Sequence, residues 1–163
     1  MRLALATVFM ITSALSMQTV AEAAPCGTWK AAMQEDEGGP RMTASVCVGT
    51  GDQPASLNVA CGGKLFSMEY SPLDAEALPP DGNMEFKAKF AFFDGKRRLE
   101  VIGQYQAMNG VMEFQWKRGD VLTDMLKSEG TLSIEDASKH IAAATFPLTG
   151  AKAAIEKLEK TCK

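Results

Sequence analysis

The sequence predicts a mainly β (α+β) domain: an antiparallel β-sandwich or half-barrel of about eight strands, with a short helix and a C-terminal helix packed on the sheet. Three observations predict it. Apolar and polar residues alternate over residues 84–92, Asp-Gly and Asn-Gly pairs follow at 94–95 and 109–110, and the pattern becomes helical after Gly150. Because a short helix is unstable alone, the last of these needs a sheet to lie on.

Residues 1–23 have the pattern of a signal peptide. Arg2 precedes an apolar stretch, and Ala21-Glu22-Ala23 supplies the small residues of a cleavage site. A membrane-spanning helix needs about 20 consecutive apolar residues, and polar residues interrupt this stretch before that length is reached. We therefore expect a periplasmic or secreted protein in which residues 24–163 form a single disulfide-stapled β-rich domain with no integral membrane segment.

Composition excludes several classes of partner and cofactor. About 140 residues remain after cleavage, enough for one domain with one core. The formal net charge of −3 includes no basic patch that would bind a phosphate backbone, so no nucleic-acid partner is expected. The single histidine, His140, and four cysteines without a CxxC pair do not make a zinc site, so we expect neither metal nor cofactor.

Alternation bounded by turn residues places the strands in order. The first four are predicted at residues 27–33, 42–48, 56–61 and 64–70. A three-strand meander begins at residue 84, and the last strands are predicted at 131–134 and 141–148. Asp120 caps a short helix over residues 121–129, which Gly130 ends. After Gly150, an apolar stripe at helical spacing predicts the terminal helix: Ala151, Ala154, Ile155 and Leu158.

The two Gly-containing turns also predict the register of the meander. As two-residue turns, they place Phe93 opposite Lys96 and Met108 opposite Val111. Two cross-strand rows then lie on the core face: Met84–Tyr105–Phe114 and Phe86–Gly103–Trp116. In this register Gly103 lies between two aromatic side chains, which cover its backbone.

Strand parity favours one pairing of the cysteines. An even number of cysteines in an exported chain indicates two disulfides. The alternation directs Cys26 and Cys47 to the outer face and Cys61 to the inner face, and disulfide partners must share a face. Parity therefore favours Cys26–Cys47, with Cys61–Cys162 tying the terminal helix to the sheet. The alternative connectivity, Cys26–Cys162 with Cys47–Cys61, stays open.

The residues that could carry chemistry do not form a catalytic set. Asp136, Ser138 and His140 adjoin on one polar turn, but no GxSxG motif accompanies them, and a surface histidine is the better interpretation. We therefore expect a protein that is not an enzyme and has no catalytic residues.

The remaining candidate is a turn-rich binding loop over residues 71–83. Its apolar and stiffening residues either pack over the core edge or form a recognition loop: Pro72, Leu73, Leu78, Pro79 and Pro80.

The end of the chain resembles a known family. The stretch MLKSEGTLSIEDASKHIAAATFPLTGAKAAIEKL is similar to the closing part of the invasion-associated locus B family of exported proteobacterial proteins. The signal peptide, the early Trp29, the few cysteines and the Leu148-Thr149-Gly150 step into a terminal helix add to the likeness. The resemblance implies a cell-envelope protein without catalytic residues, linked to host-cell interaction and virulence.

Three classes of function follow from these observations. The favoured class is a non-enzymatic envelope or host-interaction protein, whose partner is an unidentified envelope or host protein. The second is a small periplasmic inhibitor of a protease or lysozyme, with the loop at 71–83 as its inserting segment. The third is an enzyme whose site no sequence motif marks.

Overall fold

The computed structural model describes residues 26–36, 38–50, 53–73, 79 and 82–162. The predicted signal peptide lies outside them. These described residues form nine strands and two helices in the order β1 (Lys30–Gln34), β2 (Arg41–Val48), β3 (Ala55–Gly62), β4 (Leu65–Ser71), β5 (Lys87–Phe93), β6 (Arg98–Gln106), β7 (Val111–Lys117), α1 (Val121–Leu126), β8 (Thr131–Asp136), β9 (Ala144–Pro147) and α2 (Ala151–Thr161).

All nine strands belong to one antiparallel sheet, in the order β1-β2-β3-β4-β7-β6-β5-β8-β9. This is the predicted fold class, with nine strands where about eight were expected. Both predicted helices are present, and Asp120 caps α1 by accepting a hydrogen bond from the Val121 N–H at 3.0 Å. Consecutive strands lie beside each other except at β4–β5 and β7–β8, whose connections are longer than a turn.

The sheet rolls so that its two ends meet. The Trp29 N–H, just before β1, donates to the Thr149 carbonyl at 2.9 Å. Its indole Nε1–H donates to the carbonyl of Pro147 at the end of β9, also at 2.9 Å. The four residues of the predicted helical stripe are all buried in α2, which packs against β1 and β2. The result is a half-barrel with one helix laid along its closing side.

One apolar core fills the inside of the roll. Tyr70 of β4 lies 6.5 Å from Phe90 of β5 and 6.1 Å from Phe146 of β9, measured between ring centroids. Phe114 of β7 lies between Phe90 and Phe92, at 5.0 and 5.1 Å and nearly perpendicular to both. Strands that are distant in the sheet therefore share the same core, as edge-to-face aromatic packing favours.

The predicted meander register is wrong by two residues at both turns. Phe90 lies opposite Val101, not Leu99, and Tyr105 lies opposite Met112, not Phe114. Gly103 faces Ala88, and the atoms nearest to its Cβ position belong to Phe114 and Met112 rather than to Trp116. A shift of two residues keeps the side chains of the paired strands on their predicted faces, because the side-chain period of a strand is two. Met84 is the exception: it lies before β5 and is 55% exposed, so its predicted place in a core row is wrong.

The physical reason is that both turns contain four residues. At the first, the Asp94 carboxylate accepts hydrogen bonds from the backbone N–H groups of Lys96 and Arg97, at 3.0 and 2.7 Å. An Asx turn of this kind lengthens the loop to residues 94–97. At the second, the Gly110 N–H donates to the Gln106 carbonyl at 2.9 Å and closes a loop over residues 107–110.

The disulfides have the connectivity that strand parity favours. Cys26 is bonded to Cys47, with Cα atoms 4.7 Å apart, and Cys61 is bonded to Cys162, with Cα atoms 5.9 Å apart. The second bond joins β3 to the residue after α2. Two disulfides indicate that the protein folds in an oxidising compartment outside the cytoplasm.

Candidate functional site

The predicted binding loop is only partly described. Pro72 is buried at the end of β4, Leu73 is 45% exposed and Pro79 is half-buried. Leu78 and Pro80 lie outside the described residues. One methyl group of Leu73 packs over Gly49, so this side chain lies against the fold while presenting part of its surface to solvent. The loop therefore keeps both of its interpretations.

The turn with the single histidine is held by a buried carboxylate. Asp136 is 5% exposed, and it accepts hydrogen bonds from the Ser138 hydroxyl at 2.6 Å and from three backbone N–H groups: those of Ser138, His140 and Ile141. Burial alone would raise the pKa of Asp136, but the hydrogen bonds from Ser138, Ile141 and His140 outweigh it and hold that pKa below its usual value.

The order of these groups does not suit a nucleophile. Because the Asp136 carboxylate can only accept, the Ser138 hydroxyl donates its one proton to it. His140 Nδ1 lies 2.9 Å from the Ser138 oxygen and must therefore be the donor in that contact. A nucleophilic triad needs the imidazole between serine and carboxylate. Here serine is in the middle, so the cluster locks a turn before β9.

A division in the sheet provides a different candidate site. β6 pairs with β5 at seven positions, and β7 pairs with β4 at six. Between β6 and β7, the pairing covers only the three positions next to their turn, ending at Gln104 opposite Glu113. Both strands continue beyond that point, β6 back to Arg98 and β7 on to Lys117. The sheet is therefore split between two of its interior strands.

The split leaves main-chain groups of both strands facing each other without a shared ladder. The Tyr105 N–H donates to the Phe86 carbonyl at 2.8 Å, so the odd-numbered residues of β6 face β5. Since the groups alternate along an antiparallel strand, those of Glu100 and Ile102 face the split. By the same alternation from Glu113, the main chain of Gln115 in β7 faces it from the other side.

The split opens into a cleft of about 490 Å³. Its floor is apolar and consists of inward-facing side chains and one residue of α1: Leu99, Val101, Trp116 and Leu122. Its rim carries Leu65 and the polar residues Glu100, Gln115, Lys117 and Asp120. Leu99 and Val101 are only half-buried, whereas their β5 partners Phe92 and Phe90 are fully buried. Core side chains thus reach solvent here.

Local contacts hold the walls of the cleft in place. The Trp116 indole N–H donates to the buried Thr123 hydroxyl of α1 at 2.9 Å, and its ring lies 5.6 Å from that of Phe66. Arg97, in the turn before β6, forms a salt bridge with Asp94 at 2.6 Å and also donates to the Asp124 carbonyl of α1 at 3.0 Å. Both strands are therefore tied to α1 at the end of the cleft that lies away from the Gln104–Glu113 pair.

The volume and lining suit the binding of an apolar group that has polar neighbours. The sequence did not predict this cleft. Alternation places Leu99, Val101 and Trp116 on the inner face, but it is the same for a paired strand and for one that separates from its neighbour. The one local signal is the short helix directly after β7, which lies at the end of the cleft where the two strands are apart.

Within the described ranges, no helix is long and apolar enough to cross a membrane. Nor do the described side chains include a group of three or more His, Cys, Asp or Glu residues able to hold a metal ion. No protein-family model, curated protein or solved structure matches this chain.

Proposed function

We propose that this is an exported, non-enzymatic binding protein of the bacterial cell envelope, periplasmic or secreted, whose ligand occupies the β6–β7 cleft. The observation that carries the proposal is the split itself. It opens a cleft of about 490 Å³ with an apolar floor. The strands on either side of the split are paired with their other neighbours, β5 and β4, over most of their length. Half-buried Leu99 and Val101 gain burial only when something covers them.

Two further observations support export and the envelope. Residues 1–23 have the signal-peptide pattern, and two disulfides staple the domain, as is common in exported proteins of this size. The resemblance of the chain's end to the invasion-associated locus B family adds host-cell contact and virulence to the proposal. The partner is then an envelope or host protein.

The experiment for the cleft uses an anilinonaphthalene sulfonate dye as an apolar probe of the oxidised mature protein. We expect saturable binding with a blue-shifted emission, and loss of that binding in Val101→Tyr, which fills the cleft. Ile102→Tyr is the matched control, because its side chain is 59% exposed on the outer face of the same strand. Absence of dye binding, or equal binding by Val101→Tyr, would contradict a ligand in this cleft.

The export proposal has its own experiment. Protein recovered from the producing cell should begin at or near Ala24 and should contain no free thiol. Protein that still begins at Met1 would contradict export, and with it a location in the cell envelope.

Inhibition of a protease or lysozyme is the second candidate function. The observation that favours it is Leu73, which keeps 45% of its surface exposed directly after the buried Pro72 and so presents an apolar side chain to solvent beside an anchored residue. An inhibitor would slow a panel of periplasmic and host proteases or lysozymes, and Leu73→Asp would relieve the inhibition. Equal potency of wild type and Leu73→Asp would exclude Leu73 as the inserting residue.

A further inference from the structure

We propose that the β6–β7 cleft takes an extended peptide segment of a partner protein, which adds as a strand to the free edge of β6. This inference rests on the proposed binding function and names the class of its ligand. Strand addition to an open sheet edge is a common way for a protein to bind a peptide. Here the edge lies inside the sheet rather than at its border, since β6 stands between β7 and β5 in the strand order.

The main chain of β6 carries the argument. Glu100 and Ile102 each direct an N–H and a C=O into the split, beyond the last pair that β6 forms with β7. Donors and acceptors repeated every second residue along a straight strand match the main chain of another extended segment. An acyl chain or an aromatic small molecule offers no such series, so it would leave these groups to water.

The cleft also determines what kind of side chain the segment carries. Successive side chains of a strand point to opposite faces, so one residue of an added strand points inward while its neighbours point to the rim. The inward position lies over Leu99, Val101 and Trp116, which suit a large apolar or aromatic side chain. The rim positions lie beside Glu100 and Lys117, which suit polar neighbours. The ligand is thus an extended segment with one large apolar residue between polar ones.

The shorter of the two unpaired stretches, that of β7, limits the length of the contact. β7 continues four residues beyond its last pair with β6, from Phe114 to Lys117. At about 3.3 Å per residue, a segment lying along this stretch spans about 13 Å. A single short segment therefore fills the cleft, and flanking residues of the partner lie outside it.

The test removes one backbone donor and leaves the fold's own ladder intact. A phage-displayed library of linear peptides is selected on the oxidised mature protein, and an enriched peptide is measured by fluorescence anisotropy. Proline is tolerated where a strand N–H has no ladder partner, so Glu100→Pro removes only the N–H that faces the split. We expect it to weaken peptide binding about tenfold, the loss of one backbone hydrogen bond. Glu100→Ala also loses the carboxylate but keeps the N–H, so it is the reference: Glu100→Pro should bind about tenfold more weakly than Glu100→Ala.

A second measurement alters the peptide and leaves the protein unchanged, so it stands even if Glu100→Pro does not fold. N-methylation at alternate residues of the enriched peptide should abolish binding, and N-methylation at the residues between them should have little effect. This alternation is the signature of strand pairing.

The outcomes separate this inference from the function on which it rests. If no peptide is enriched, or if Glu100→Pro and N-methylated peptides bind normally, the peptide ligand is wrong. If the naphthalene dye nevertheless binds wild type and not Val101→Tyr, the cleft still binds an apolar ligand of another class. If the dye also fails to bind, the binding function proposed for the cleft is overturned as well.

Discussion

The backbone of Gly103 lies beneath the ring of Phe114 at the point where β6 and β7 separate. A Cβ atom at this position would lie 2.6 Å from Cε1 of Phe114 and 3.2 Å from Cε of Met112. The Phe114 ring cannot swing away, because it is packed between Phe90 and Phe92 in the fully buried core. The absence of a side chain at Gly103 is therefore a packing requirement.

The first prediction tests this packing. Gly103→Ala should lower the free energy of unfolding by about 1–3 kcal/mol, because the added methyl group overpacks a core that cannot relax. Gly62→Ala is the control: it is also a strand glycine, but its Cβ would have no atom within 4 Å. It should change stability by less than about 0.5 kcal/mol. Urea unfolding of the oxidised proteins measures both, and equal effects would refute the contact with Phe114.

A second residue-scale prediction concerns pH. The pKa of Asp136 is below its usual value in the folded protein, so its contribution to stability is fully present above about pH 4 and is lost as the pH falls through the folded pKa. Asp136→Asn should cost about 1–3 kcal/mol at pH 7, since it replaces an ionised acceptor of four hydrogen bonds. The difference from wild type should shrink as the pH is lowered below 4. A difference that is constant between pH 7 and pH 3 would mean that the charge of Asp136 does not matter.

At the scale of secondary structure, α2 is held by its buried stripe and by covalent and polar contacts. Its buried stripe is narrow and half alanine, with Ile155 and Leu158 as its large members. The Cys61–Cys162 bond and a hydrogen bond from Arg118 to the Cys162 carbonyl, at 2.7 Å, hold its C-terminal end. Midway along the helix, Lys157 reaches the Ala31 carbonyl of β1 at 3.0 Å.

The third prediction compares the two disulfides. Serine replacement of both Cys61 and Cys162 releases a constraint spanning 101 residues and should cost about 4–5 kcal/mol in the chain-entropy model. The same replacement of Cys26 and Cys47 releases one spanning 21 residues and should cost about 3 kcal/mol. Denaturant unfolding of the two double variants gives the comparison. A larger loss from the Cys26–Cys47 pair would show that the long disulfide does not anchor α2.

At the scale of the whole molecule, the roll closes where Trp29, just before β1, contacts the residues just before α2. Gly150 has a φ of +79° and lies so close to β1 that a Cβ atom would be 2.9 Å from the Trp29 carbonyl oxygen. The two hydrogen bonds of Trp29 to Pro147 and Thr149 lie beside it. Glycine is therefore required here both for its backbone conformation and for its lack of a side chain.

The fourth prediction separates those two requirements. Gly130→Ala should cost about 1–2 kcal/mol, because Gly130 also has a positive φ, of +94°, but no atom within 4 Å of its Cβ position. Gly150→Ala should cost about 1–3 kcal/mol more, because the methyl group also pushes β1 away from the end of β9. Hydrogen exchange of the α2 amides should then rise in Gly150→Ala alone. Equal losses in both variants would mean that the contact with Trp29 does not hold the roll closed.

Local patterns in the sequence determined which residues face the core. Alternation in the strands and the helical spacing of Ala151, Ala154, Ile155 and Leu158 identified the buried faces, and parity favoured the disulfide pairing that the structure has. These features depend only on the side-chain repeat of a strand or helix, which can be recognised within a short stretch of sequence.

Tertiary structure alone decided the register, the closure of the roll and the cleft. The Asp94 carboxylate lengthens one turn and moves the register by two residues, a change that alternation cannot detect because faces repeat every two residues. Trp29 reaches Thr149 across almost the whole chain. β6 and β7 separate because Phe114 packs over Gly103 while Arg97 and Trp116 tie the strands to α1. The register depends on a local turn whose length alternation does not reveal, whereas the closure of the roll and the cleft depend on contacts between different elements, which no local pattern specifies.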